Sequence, residues 1–132
     1  MITEYIDVPY KKWGIVVIYD FDTGEEYVDL MAIMRSFGMS QSSSRKALEI
    51  LSNYNTGMAI SLDDLRMSAI FISPTTSNGQ FWDTVVHELK HVADSIIDYY
   101  GVEWDSEDAA YLTGHLTKEL VQIVGEPCVD SI

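Results

Sequence analysis

The alternation of apolar and polar positions divides the chain into short strands and amphipathic helices. Residues 12–20, "KWGIVVIYD", are rich in β-branched and aromatic side chains and run into an Asp-rich turn, which predicts a strand. Apolar residues at helical spacing predict one short helix within "EEYVDLMAIMRSF", ending near Gly38, and a second within "SQSSSRKALEILSNY", beginning at a serine cap. "MAISL" and "RMSAIFIS" predict a strand pair joined by "DDL".

Two longer helices are predicted in the second half of the chain, over about residues 80–100 and 106–124, with "GVEWDS" between them. The predicted order is therefore a strand, two helices, a strand pair and two long helices. Mixed elements without a regular strand–helix–strand alternation indicate the α+β class. A chain of 132 residues suffices for one hydrophobic core, so we expect one domain over residues 1–132.

Composition narrows the classes of protein that fit. No apolar run approaches the roughly 18 residues of a membrane span, and the segment before "WGIVVIYD" is acidic rather than basic, so we expect a cytoplasmic protein without a signal peptide or membrane partner. The single cysteine, Cys128, excludes an internal disulfide. The formal net charge of -13 repels phosphates and argues against a nucleic-acid partner. It suits a basic partner, or it simply keeps a small protein dissolved.

The helix predicted over residues 80–100 has an apolar face and a polar face. On a helical wheel the apolar face gathers Phe81, Trp82, Val85, Leu89, Val92, Ala93 and Ile96. His87 and His91 lie on the opposite side. Because residues four apart lie one above the other on a helix, these two imidazoles can reach one ion at the distance of about 2.0–2.1 Å that zinc requires.

The segment "HELKH" at residues 87–91 matches H-E-x-x-H, in which two histidines bind zinc and the glutamate acts as general base. Glu88 projects about 100° away from His87, so it is poorly placed as a third ligand but can reach a water on the metal. A solvated helix face with two surface histidines is the alternative. Asp94, one turn beyond His91, can orient a ligand imidazole or remain a solvated carboxylate.

A third protein ligand is expected downstream, because catalytic zinc usually takes three protein ligands and one water. The candidates are Glu103, Asp105, Glu107, Asp108 and His115. Ala110 and Gly114 are small residues beside Glu107 that would let this helix pack closely on the histidine helix, and this geometry favours Glu107. Charge at a helix N-terminus is the alternative role of Glu107. The apolar stripe of the same helix is predicted to consist of Leu112, Leu116, Leu120 and Ile123.

Two further side chains on that helix are candidates for catalysis. The phenol of Tyr111 could donate a hydrogen bond to a tetrahedral intermediate, with simple packing as the alternative. His115 could bind a substrate oxyanion or replace Glu107 as a ligand, or it could be a surface residue. Cys128 could bind zinc as a thiolate, although a free thiol is the simpler interpretation.

The motifs "HELKH" and "EDAAYLTG" together resemble those of zinc metallopeptidases of the gluzincin type. The resemblance implies His87, His91 and Glu107 as zinc ligands and Glu88 as the base. Glu107 followed by Ala110 also resembles the E-x-x-A of small metallopeptidases of mobile elements. Residues 55–117 are similar to small proteins of phages and prophages of gut bacteria. These resemblances imply a minimal zincin fold, with "RMSAIFIS" as the edge strand that binds an extended substrate.

The sequence therefore predicts a zinc-dependent metallopeptidase that hydrolyses peptide bonds of a peptide or protein through a zinc-bound water. Glu88 would take the proton of this water and pass it to the leaving amine. The first alternative is a metal-binding, non-proteolytic interaction protein of the phage type, and the second is a domain without metal. The sequence does not indicate the substrate or the oligomeric state.

Overall fold

The computed structural model describes residues 1–8, 12–101 and 106–125, and for residues 106–109 it describes the backbone alone. These residues form an α+β structure, as predicted, with a mixed four-stranded sheet and four helices. In chain order the elements are β1 (Ile2–Val8), β2 (Trp13–Tyr19), α1 (Tyr27–Ser36), α2 (Gln41–Leu51), β3 (Gly57–Leu62), β4 (Met67–Ile72), α3 (Asn78–Tyr100) and α4 (Ser106–Val124). None of the helices within the described ranges is both long and apolar enough to cross a membrane.

The strands lie in the order β1-β2-β4-β3. β1 is antiparallel to β2, β2 is parallel to β4, and β3 is antiparallel to β4, which confirms the predicted strand pair. β1 was not expected from the sequence. The prediction that "RMSAIFIS" supplies the edge strand is wrong: β4 lies between β2 and β3, and the two edges are β1 and β3. The physical reason is burial, because β4 is covered on both faces after its first residue while β3 is only half-buried throughout.

Helices cover both faces of the sheet, and the side chains of β2 alternate between the two resulting cores. Trp13, Ile15 and Val17 belong to the core beneath α3 and α4, whereas Ile18 belongs to the core beneath α1 and α2. The first core also contains the predicted apolar face of α3, namely Phe81, Val85, Leu89, Val92, Ala93 and Ile96, with Trp82 only partly buried beside them. The apolar stripe of α3 therefore fixes which of its faces remains available for chemistry.

Capping determines where α3 begins and ends. The hydroxyl of Ser77 accepts a hydrogen bond of 3.0 Å from the backbone N–H of Gln80, as a serine N-cap does. At the other end Gly101 adopts a left-handed conformation with φ of 61°, as predicted for a helix-ending glycine. α3 is therefore one uninterrupted helix, and His87 and His91 both lie within it.

The leucine face of α4 packs against the core, but its small residues do not. Leu112, Leu116 and Leu120 are buried as predicted, and Ile123 is not, with 42% of its surface exposed. Ala110 and Gly114 are both exposed, and a Cβ placed on Gly114 would meet nothing within 4 Å. The prediction that these small residues bring α4 close to α3 is therefore wrong, because the leucines on the other side of α4 make the contact.

Candidate metal centre

His87 and His91 lie one above the other on the exposed face of α3, as the helical wheel predicts. The Nε2 atoms of the two rings are 3.3 Å apart. The rings are nearly perpendicular, at 79°, with centroids separated by 4.9 Å. Both imidazoles therefore direct the same nitrogen toward a common point in space.

The separation of these nitrogens fits a shared metal ion. Two ligands at about 2.0–2.1 Å from a tetrahedral ion lie about 3.3–3.4 Å from each other, which is the spacing observed here. The same separation also suits a hydrogen bond in which one neutral ring donates and the other accepts. In both cases the helix holds the two side chains close together. A metal ion could bind between the two Nε2 atoms in place of the hydrogen bond.

Glu88 completes a compact group with the two histidines. Its side chain is only 7% exposed, compared with 70% for His87, and its Oε1 lies 3.9 Å from Nε2 of His87. Its Oε2 is buried and has no hydrogen-bond partner among the described residues. Ligand atoms of His87, Glu88 and His91 all lie within 4.8 Å of one another, so this group could hold a metal ion, and it is the one such group in the part of the chain that the structure describes.

Gly57, the first residue of the edge strand β3, explains why Glu88 is buried. A Cβ at this position would lie 3.0 Å from Cγ of Glu88 and 2.7 Å from Cγ2 of Thr84. Only a glycine lets the strand pass this close to α3. Taken locally, "NTG" at 55–57 indicates a turn and does not predict this contact, because the partners of Gly57 lie about thirty residues away and the glycine itself is the one local signal.

Hydrogen bonds between the loop before β3 and the loop before α3 hold Gly57 close to Glu88. The backbone N–H of Asn55, a residue in the left-handed region, donates to the carbonyl of Pro74 at 3.0 Å. The N–H of Thr56 donates to the hydroxyl of Ser73 at 2.8 Å, and the N–H of Ser73 donates to the carbonyl of Thr56 at 2.9 Å. The edge strand is thus tied to the loop that leads into the histidine helix.

Burial also changes the acidity of Glu88. Desolvation raises the pKa of its carboxyl above the ordinary value of 4.5, and the charges of His87 and His91 partly offset this effect. A carboxylate whose pKa is raised takes up a proton more readily near neutral pH, which is what a general base requires. The orphaned Oε2 leaves one acceptor atom for a water or a substrate group.

A surface depression of about 330 Å³ opens beside this group. It lies between α3, the end of α2 and the start of β3. Its lining consists of Ile50, Asn55, Thr56, Gly57, Asp83, Thr84, His87 and Glu88. One histidine and the buried carboxylate therefore face a space that could receive part of another molecule.

Asp94 does not orient an imidazole in this structure. Its Oδ1 and Oδ2 accept hydrogen bonds of 2.7 and 2.8 Å from Nζ of Lys90. Among the described residues no hydrogen bond joins Asp94 to either histidine. Of the two roles left open by the sequence, the structure supports a surface carboxylate, paired in an i,i+4 salt bridge.

The two catalytic candidates on α4 lie elsewhere on the surface. Tyr111 is 77% exposed, and it lines a second depression of about 470 Å³ together with His115. Ala110, Gly114 and Lys118 complete that lining. Neither Tyr111 nor His115 lines the depression beside Glu88, so the structure does not bring them together with the histidines of α3. Their catalytic roles stay predictions.

Glu107, the predicted third ligand, occupies the second position of α4, and α4 packs against α3. Its side chain lies outside the described part of the structure, as do the competing candidates Glu103, Asp105 and Asp108. Cys128 also lies outside it. The third ligand is therefore still a prediction from sequence.

Fold and site together define an α+β protein that carries a His–Glu–His group able to hold a metal ion on one helix. Comparison of the chain with protein-family models, with curated proteins and with solved structures finds no match. The assignment of a function therefore rests on the geometry of the site and on the chemistry of its donors.

Proposed function

We propose that this protein is a zinc-dependent metallopeptidase with a minimal zincin-like fold. The observation that supports this best is the combination of two converging imidazoles, with Nε2 atoms 3.3 Å apart, and a buried carboxylate 3.9 Å from one of them. Surface histidines on a solvated helix have no need of a desolvated glutamate beside them. A hydrolytic site that holds one base next to one metal ion does need it.

In this proposal His87, His91 and Glu107 hold the ion. Imidazole and carboxylate donors suit Zn²⁺, and a set of two histidines and one glutamate leaves a fourth position open. A bound zinc ion supplies Lewis acidity, which polarises a carbonyl group and lowers the pKa of water to about 7. The spacing of the two imidazoles and the orphaned acceptor atom of Glu88 both fit such an occupant.

Glu88 supplies the proton transfers. Its carboxylate accepts a proton from the attacking water and donates it to the leaving amine, so that one residue acts first as base and then as acid. The close passage of Gly57 shields one side of this carboxylate from solvent. That shielding contributes to the desolvation that raises the pKa of Glu88.

The edge strand β3 is the proposed binding place for the peptide. It pairs with β4 on one side, and its other side is not paired with any described strand. An extended peptide could add to this edge through main-chain hydrogen bonds. Because β3 begins at Gly57, directly beside Glu88, a peptide bound there would pass the reacting group.

The test is to compare zinc content and peptide hydrolysis in wild-type protein, Glu88→Gln and the control Glu25→Gln, which removes an exposed carboxylate from the turn before α1. We expect all three to bind zinc. Glu88→Gln should lose hydrolysis by about 10²–10⁴-fold, and Glu25→Gln should keep it. Hydrolysis retained in Glu88→Gln would refute the assigned base. Zinc binding without hydrolysis in wild-type protein would favour the non-proteolytic alternative, an acidic metal-binding protein that binds a basic partner.

A further inference from the structure

The depression beside Glu88 has two chemically different walls. Asp83 stands on α3, one helical turn before His87, and its side chain is exposed. Ile50, near the end of α2, lines the same depression and is 55% exposed. One wall thus offers a negative charge and the other offers apolar surface.

The charge on Asp83 is not neutralised within the depression. The lining, among the described residues, contains neither lysine nor arginine. No salt bridge to Asp83 occurs in the described part of the chain. The formal net charge of -13 adds a long-range attraction for cations.

We propose that this depression is a subsite for a basic side chain of the substrate and that Asp83 determines this preference. Lysine and arginine combine an apolar stem with a charged end, which matches a space bounded by Ile50 and Asp83. Asp83 and His87 are four residues apart on one helix, so their Cβ atoms are about 5–6 Å apart. A side chain held by Asp83 therefore lies next to the reacting group. The role as a substrate subsite rests on the proposed peptidase function.

An adjoining depression explains why an apolar side chain is not the preferred occupant here. This neighbour has a volume of about 280 Å³ and shares Ile50 and Gly57 with the first. Met39, Ala47 and Met58 give it a largely apolar lining, and Ser43 and Lys46 complete it, so a basic side chain would also meet a like charge there. An apolar side chain finds more apolar contact there and does not desolvate the carboxylate of Asp83.

Binding can be measured without any hydrolysis. We would titrate zinc-loaded protein with N-acetyl-lysine amide and with N-acetyl-norleucine amide, which has the same stem without the ammonium, and follow backbone amide signals by NMR. The lysine compound should shift the signals of Thr56, Gly57 and Asp83 and bind about fivefold more tightly than the norleucine compound, as expected for one solvent-accessible ion pair. Asp83→Asn should remove this preference.

The matched control is Asp98→Asn, which removes one exposed carboxylate from the same helix, beyond His91. It should keep the preference for the lysine compound. Equal binding of the two compounds to wild-type protein, or an unchanged preference in Asp83→Asn, would overturn the proposal. A preference lost equally in Asp98→Asn would also overturn it, since net charge rather than Asp83 would then be responsible.

Assays of peptide hydrolysis distinguish the proposed basic subsite from the proposed peptidase activity. With peptides that carry lysine or norleucine at each position near the cleaved bond, we expect lysine at one position to lower KM about fivefold at unchanged kcat. Asp83→Asn should abolish that difference. Cleavage without any preference for lysine would refute the subsite and leave the peptidase standing. Binding of the lysine compound without any cleavage would refute the peptidase and leave the basic subsite standing.

Discussion

Helices α3 and α4 are similar in sequence pattern but differ in what surrounds their polar faces. Each buries an apolar stripe in the same core and carries histidine on the other side. On α3 the histidines lie beside Glu88, which the edge strand covers at Gly57. On α4 the exposed face around Gly114 meets nothing within 4 Å of a Cβ placed there.

The difference shows what converts a polar helix face into a candidate site. An exposed histidine is not enough, because His115 on α4 belongs to no group of described residues that could hold a metal ion. On α3 a second element lies close enough to desolvate a carboxylate next to the imidazoles. Among the described residues, α3 therefore carries a group that could hold a metal ion, and the described part of α4 carries none.

The largest effect should come from removing one imidazole of α3. We expect His87→Ala to abolish stoichiometric zinc binding, because a single histidine on this helix leaves too few protein ligands. His115→Ala, the matched change on α4, should leave zinc content unchanged. Elemental analysis of protein purified without a histidine tag measures both. Zinc retained in His87→Ala, or lost in His115→Ala, would break the distinction between the two helices.

Measurements of kcat in variants of Tyr111 and His115 test whether α4 contributes to catalysis. Because both line a separate exposed depression, we expect Tyr111→Phe and His115→Ala to change kcat by less than about threefold. Loss of a true oxyanion donor costs about 10²–10³ in kcat. A loss of that size in either variant would restore the catalytic role predicted from the sequence and would require α4 to contribute to the site.

A pair of glycine substitutions measures how closely each helix is covered. Gly57→Ala places a Cβ 2.7 Å from Cγ2 of Thr84 and should lower the free energy of unfolding by about 1–3 kcal/mol. Gly114→Ala meets open space on α4 and should raise it by roughly 0.5–1 kcal/mol, because alanine favours helix more than glycine does. Urea denaturation of the two variants gives the values. A change in the free energy of unfolding of the same sign in both variants would contradict the conclusion that α3 is closely covered at Gly57 and α4 is open at Gly114.

The smallest expected effect is a pH-dependent gain in stability for metal-free Glu88→Gln. Burial raises the pKa of Glu88 in the folded state, so the stabilising contribution of its protonated form is present below the unfolded pKa, near 4.5, and is lost as the pH rises through the folded value. Replacing the carboxylate by a neutral amide should therefore raise Tm at pH 7, and the difference should vanish below about pH 4.5. An equal difference at both pH values would show that ionisation of Glu88 is not its source.

Local signals in the sequence predicted most of the elements. The bounds of α4 agree with those expected, α3 begins two residues before its predicted start, and the serine before α2 caps that helix as predicted, with Ser40 accepting from the N–H of Ser43. β1 was missed because Glu4 on the inward side and Tyr5 on the exposed side interrupt an otherwise alternating "ITEYIDV". Whether a helix or strand was predicted therefore depended on how strongly a few neighbouring residues favour that structure.

Long-range features could not be predicted in this way. The parallel pairing of β2 with β4 joins Gly14–Ile18 to Met67–Phe71, and no local pattern specifies which strands become neighbours. For the same reason the sequence did not reveal that β3, rather than β4, forms an edge of the sheet. The histidine pair was predictable because both members lie on one helix, whereas the burial of Glu88 depends on a strand about thirty residues earlier.

The hydrogen bonds between Asn55–Thr56 and Ser73–Pro74 have a consequence for motion. They join the segment before β3 to the segment before α3. These two elements, which both line the depression beside Glu88, are therefore held together by several hydrogen bonds. Opening this depression would require breaking several hydrogen bonds at once rather than swinging one loop. We therefore expect the amide protons of Thr56 and Ser73 to report the same free energy of opening in native-state hydrogen exchange, as members of a single cooperative unit.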